Sequence, residues 1–196
     1  MSRLRGATVD FAESRPAQRT RAALFDAFVE LVLERRYDRL KVGDIIARAG
    51  VGRSTFYEHY QGKDELLKEG LAGPFGVLAD LVTERHDPAR LRATVEHFWE
   101  NRRIANVLFA GATRRLVTGA LASLIEQRLA ERAGDRPLAV PPVLLAAQLA
   151  GGQIALVSAW LAGQAPASAE VIAGALHASA TAALVSLDGP QARREG

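Results

Sequence analysis

The sequence predicts an all-α protein with an N-terminal three-helix head and a C-terminal helical body. Three observations lead there. Apolar residues recur at three- and four-residue spacing along most of the chain. Glycine and proline fall where such helices would start or stop. No run alternates in the manner of a strand. With 196 residues, 48% hydrophobic and 24% charged, the composition is that of a globular chain rather than a disordered or collagen-like one. The absence of cysteine removes disulfide scaffolds and thiolate metal sites and fits a reducing, cytoplasmic setting. The opening stretch MSRLRGATVDFAESR holds no apolar core of signal-peptide length, so secretion is not expected.

The elements follow in order. Arg15-Pro16 starts the first helix, with Leu24, Phe28, Leu31 and Val32 on one face and Asp26, Glu30 and Glu34 opposite. Val42 to Ala49 forms a second, closed by Gly50, and Gly52 opens a third that runs through Tyr60. Lys63-Asp64-Glu65 begins a fourth with an acidic first turn. Gly70, Gly73, Pro74 and Gly76 then crowd together, which predicts a hinge, with a domain boundary between residues 68 and 69. Helices are expected over Pro74 to His86, Pro88 to Glu100 after Asp87, Arg102 to about Ala110, and Thr113 to Arg132 ending at Gly134. A loop over Asp135 to Pro142, helices Val143 to Ala162 and Ser168 to Leu187, and a fraying tail GPQARREG complete the chain.

Between Pro137 and Leu187 the only Asp, Glu, Lys or Arg is Glu170, and Leu138 to Gly163 is long enough to span a bilayer. Pro141-Pro142, Gln148, Gln153, Gly151-Gly152 and flanks without an aromatic and basic belt argue instead for a helix buried by protein. No membrane partner is expected.

The informative constellation lies between residues 35 and 63. Two short helices separated by a left-handed Gly50 have the spacing of a helix-turn-helix. Ile45, Ile46, Ala49, Val51 and Phe56 would lock them together, and Arg53, Ser54, Thr55, Tyr57, Glu58 and His59 would give the third helix a polar outer face. Seven Lys/Arg (Arg35, Arg36, Arg39, Lys41, Arg48, Arg53, Lys63) face three acids (Asp38, Asp44, Glu58), a local excess of +4 against +3 for the whole chain. Each residue also has an ordinary reading as core or solvated surface; it is their joint register that favours nucleic acid.

The run from Asp44 to Leu67, DIIARAGVGRSTFYEHYQGKDELL, resembles the TetR family of tetracycline-repressor-like transcription regulators. The resemblance covers about residues 17 to 68: the glycine turn, Thr55-Phe56-Tyr57, the aromatic at 60, Lys63 and Leu66-Leu67 are all in register. It implies a homodimer that places two recognition helices in successive major grooves of a palindromic double-stranded operator. By position, Thr55, Tyr57, His59 and Lys63 would hold phosphates, Arg53, Ser54 and Glu58 would face base edges, and Phe56 would be core. Tyr60 would be mainly core, its hydroxyl reaching toward the DNA backbone. Of these residues only Arg53 can make a bidentate pair with guanine. The chain departs from the family pattern at Arg36, where a glycine usually ends the first helix, and at Ile46, where alanine is usual. It departs also at Gly52, where serine is usual, and at Lys41, where threonine commonly caps the second helix; a lysine there would still meet a phosphate.

Catalysis has little support. No Gly-x-Ser-x-Gly, P-loop or dinucleotide fingerprint occurs, and the four histidines show no paired ligand spacing, so no catalytic residue, cofactor or metal is expected. His97 with Glu96 and Glu100 is read as a surface histidine.

The last two helices, with one charge between them and rich in alanine and glycine, predict an intersubunit four-helix bundle, with Leu149, Gly152, Leu156, Ile172, Leu176 and Ser179 at the interface. The resemblance places the dimer interface in the same helices. Aromatic and uncharged polar residues suggest an apolar effector pocket built from Phe98, Trp99, Asn101, Phe109, Gln148, Gln153 and Trp160. The expected protein is a repressor released by a small apolar or aromatic molecule. The alternatives are a regulator of the same fold without an effector and, more distantly, an enzyme on a helical scaffold.

Overall fold

The computed structural model describes residues 15–133 and 139–187. The N-terminal stretch, residues 135–138 of the expected 135–142 loop and the GPQARREG tail lie outside them. Among the described residues every regular element is helical: α1 (Arg15–Glu34), α2 (Val42–Ala49), α3 (Arg53–His59), α4 (Lys63–Ala79), α5 (Pro88–Glu100), α6 (Arg102–Leu108), α7 (Arg114–Ala133), α8 (Pro142–Leu161) and α9 (Ala169–Leu187).

The head assembles on α1. Leu24, Ala27, Phe28, Leu31 and Val32 fall on one helical face and are all buried. Against that face sit Ile45 of α2 and Phe56 of α3, both fully buried. The turn between α2 and α3 is made by Gly50 at φ 65°, whose N–H bonds the Ile46 carbonyl. A side chain in this left-handed conformation would carry strain, which glycine avoids. Lys41 cannot cap α2 with its side chain; instead the Asp44 carboxylate accepts the Lys41 backbone N–H at 3.0 Å, the returning half of a capping box.

The hinge expected at Gly70–Gly76 is not there. Helix α4 runs unbroken from Lys63 to Ala79 with Pro74 inside it, so the expected Pro74–His86 helix does not begin at Pro74. The missing proline donor costs about 3 kcal/mol. Burial of Leu66, Leu67, Leu71, Phe75 and Leu78 on both sides of the proline offsets it, at about 1.5–3 kcal/mol for each large side chain. Gly70 has a packing role: a Cβ there would lie 1.9 Å from Phe25 Cε2, so only glycine lets the α1 ring rest on α4. A single helix thus crosses the 68/69 boundary and joins head to body.

In the body, α4 ends in a 3₁₀ turn, Asp80–Val82, held to α7 by an Arg128 Nε–Asp80 Oδ1 pair at 2.9 Å that is mostly shielded from solvent. Asp87 caps α5 by accepting the N–H groups of Ala89 and Arg90, with Pro88 at the first helical position. Helix α8 packs along α7 and buries Leu145, Leu149, Gln153, Val157 and Trp160. It is the one described single helix long and apolar enough to cross a membrane.

Candidate nucleic-acid interface

Helix α3 presents two unlike faces. Phe56 and Tyr60 point inward, while Arg53, Ser54, Tyr57 and Glu58 are exposed and Thr55 and His59 half-buried. Tyr57 is 48% exposed, unusual for so large a ring. The Arg53 guanidinium lies 5.5 Å from its centre, one helical turn away. This contact joins two exposed side chains at the start of α3.

Three contacts hold that face in position. Arg48 of α2 donates to Glu34 through both terminal nitrogens, at 3.0 Å each, and to Glu30 at 2.9 Å, clamping α2 onto α1. The hydrogen bonds from Arg48 pull the Glu34 carboxyl below its ordinary range. The Tyr37 hydroxyl bonds the Asp64 carboxylate; burial, and then this neighbour, push the phenol well above its usual range. Lys63 Nζ donates to the Tyr37 and Leu40 carbonyls at 2.6 and 2.7 Å.

Two expected DNA contacts therefore change. Tyr60 is 2% exposed and its hydroxyl meets Glu69 Oε1 at 3.0 Å, so it braces α3 against α4 and is withdrawn from the outer face. The Lys63 ammonium is committed to two backbone carbonyls, which leaves one N–H for anything outside. The basic excess also thins out: Arg35, Arg36 and Arg48 pair with Asp44, Asp38 and the Glu30/Glu34 couple. Among the described residues Arg39, Lys41 and Arg53 keep no acidic partner, and Lys41 and Arg53 border α2 and α3. Tyr37 carries no signal in the sequence, because its role depends on Asp64 and Lys63, distant in the chain.

The chain is similar to known proteins in this region and in overall fold. A family model described as bacterial regulatory proteins, tetR family, matches residues 24–69. Over 90 residues the chain is 38% identical to the HTH-type transcriptional repressor LfrR of Mycolicibacterium smegmatis, covering 43% of this chain and 46% of the relative. Over residues 24–69 the chain is thus similar to TetR-family regulators. An uncharacterized HTH-type transcriptional regulator of Bacillus subtilis, YxbF, is 34% identical over 71 residues, 36% of this chain and 19% of that protein. The chain thus spans less than half the length of either curated relative. The TetR transcriptional regulator from Streptococcus agalactiae superposes with a TM-score of 0.54 at 26% identity, over 85% of this chain and 96% of that one. A TetR-family regulator from Streptomyces coelicolor shares the fold, with a TM-score of 0.59 at 18% identity over 89% of this chain and 100% of that one. These relatives are regulators rather than enzymes.

A second candidate site lies between head and body. A cleft of about 490 Å³ opens between α1 and α4 on one side and α5 and α6 on the other. Of the seven expected pocket residues, Phe98, Asn101 and Phe109 line it; Trp99, Gln148, Gln153 and Trp160 do not. Adjacent residues on a helix point about 100° apart, so Phe98 enters the cleft while Trp99 turns to stack on Trp160 with ring centres 4.8 Å apart. Gln148 is exposed on α8, and Gln153 is buried with neither amide atom bonded. The Glu96–His97–Glu100 trio does not converge: Glu96 pairs with Arg92 and His97 meets Asn101. Among the described residues no three potential metal ligands come together.

The expected dimer residues also divide. Leu149, Ile172 and Leu176 are buried in the chain's own core, which leaves them little surface for a second copy. Gly152 and Ser179 are exposed and Leu156 is half-buried. Beside them Leu144 is 60% exposed, Val171 60% and Val185 70%. Both helices are apolar nearly all round, so the outward stripe was not separable from the inward one by composition.

Proposed function

We propose that this chain is a TetR-type regulator, a cytoplasmic homodimeric repressor whose α3 helices read a palindromic operator. The observation that carries the reading is the outward Arg53–Tyr57 stack on a helix whose opposite side is locked into the head. Arg53 opposes the helix dipole at the start of α3, at a cost of about 0.3–1 kcal/mol, and no acid among the described residues pairs with it. A guanine edge would. Ser54 and Glu58 share its face, and Thr55, Tyr57, His59, Lys41 and Arg39 are the proposed phosphate contacts.

The uncharged outer stripes of α8 and α9, including Leu144, Gly152, Val171 and Val185, support the dimer, since apolar surface of this kind marks interfaces. The relative from M. smegmatis is a repressor, which supports the same sign of control here. Release by a small apolar molecule is supported by the cleft against α1, whose volume suits such a ligand. Residues 1–68 would then act as the reading head and 69–196 as the sensing and dimerising body. The test is selection of bound duplexes from a random pool with the full chain. A two-fold symmetric consensus with steep salt dependence is expected; a pool with no enriched sequence would overturn the reading.

A further inference from the structure

We propose that the cleft between head and body is a receptor for an apolar organic cation, and that its occupant acts on the head through Phe25. The clause about the head rests on the operator-binding reading; the clause about the cation does not.

The cleft is built by both halves of the protein. Helix α1 supplies Phe25, Asp26, Val29 and Glu30; α4 supplies Gly70, Leu71 and Pro74; α5 and α6 close the far side with Phe98, Ile104 and Leu108. Its volume of about 490 Å³ lies in the range of sites that enclose drug-sized molecules. Its charge is one-sided. Among the described residues two carboxylates and the His97 imidazole line it and no Lys or Arg does, although the chain has 25 Lys/Arg against 22 Asp/Glu. Asp26 has no ion-pair partner among the described residues, and Glu30 shares the single Arg48 guanidinium with Glu34. The edge of α1 facing the cleft therefore keeps net negative charge. Phe25, Phe98 and Phe109 add aromatic rings, whose faces attract a cation and reject an anion. An apolar body with one delocalised positive charge satisfies walls and rim together.

Phe25 gives the occupant a mechanical consequence. Its ring is a wall of the cleft and also rests where the Gly70 side chain would be: a Cβ at Gly70 would lie 1.9 Å from Phe25 Cε2 and 2.5 Å from Cζ. The ring has no slack toward α4, so an occupant pressing on it displaces α1, the helix to which α2 is clamped through Arg48.

The probes are tetraphenylphosphonium and tetraphenylborate, near-identical in shape and opposite in charge, titrated calorimetrically into the full chain. Saturable binding of the cation, with the borate at least about ten-fold weaker, is expected. Asp26→Asn, at an exposed position without an ion pair, should weaken the cation about ten-fold while leaving the circular dichroism spectrum unchanged. Val29→Trp, which fills the cleft, should abolish binding. Equal or better binding of the borate, or an Asp26→Asn affinity unchanged from wild type, overturns the cation site. If the cation binds and operator affinity stays the same, the coupling through Phe25 is overturned and the site stands. If no duplex binds at all, the operator reading fails and the titration alone judges the site.

Discussion

The Lys63 ammonium donates to the Tyr37 carbonyl at 2.6 Å and sits 4.4 Å from the centre of the same residue's ring. With its second bond, to the Leu40 carbonyl, it ties the start of α4 to the connection between α1 and α2. Position alone implied a phosphate clamp; geometry makes the residue first a structural pin.

Lys63→Ala should therefore cost about 1–3 kcal/mol of folding stability, because it leaves two carbonyls short of a charged donor. Arg53→Ala, by contrast, should stay within about 0.5 kcal/mol of wild type, as an exposed substitution does. Urea unfolding followed by helical circular dichroism checks both. Equal stability of Lys63→Ala and wild type would remove the pin.

Gly70→Ala should destabilise the fold by about 1–3 kcal/mol, the cost of overpacking a rigid contact, since the added methyl meets the Phe25 ring. Adding Phe25→Val should recover part of that loss. Thermal melts of the two single variants and the double variant measure the coupling; strictly additive effects would place the strain elsewhere.

The rings of His86 and His177 stack with centres 4.4 Å apart, and His86 Nδ1 is buried without a hydrogen-bond partner. Burial first, and then His177, hold His86 below the ordinary imidazole value, against a smaller opposite pull from Asp87. On acidification the unfolded chain takes up this proton first, at about pH 6.5. Stability should thus fall as the pH drops below that value, until the folded His86 titrates in turn. His86→Gln should flatten this slope, and His177→Ala should narrow the window by raising His86 toward its ordinary value. Unfolding midpoints from about pH 5 to pH 8 give the comparison.

A charge on the outer stripe of α9 should act differently from one on its inner stripe. Ala178→Glu, at an exposed position, should yield folded monomers by sedimentation. Leu176→Asp should unfold the chain, because Leu176 is 1% exposed and an unpaired buried charge costs several kcal/mol. A monomeric wild type at micromolar concentration would contradict the dimer.

Helices α2, α3 and α5 were legible because local chemistry marks their ends: Gly50 in the left-handed region, Asp87-Pro88 at a first turn. Helix α4 was not, because its glycines and proline are local signals while the burial that overrides them, Leu71, Phe75 and Leu78, depends on partners elsewhere. The face of α3 was readable from register. The true partners of Lys63 and Tyr60 were not, since they are set by how the head closes on α4. In the body, alanine-rich helices apolar on every side hid which residues face inward, and adjacent aromatics such as Phe98 and Trp99 looked like one pocket although only Phe98 enters the cleft and Trp99 meets Trp160.

The central claim is that Arg53 reads a base rather than merely holding phosphate. Its most direct test is the affinity of wild type and Arg53→Ala for a selected operator and its single-mismatch variants at several salt concentrations. A loss of about 1–3 kcal/mol per half-site is expected, with relaxed preference at one base position and at its symmetry mate. If every mismatch penalty survives and only the salt slope falls, Arg53 is one more phosphate contact and the claim is wrong.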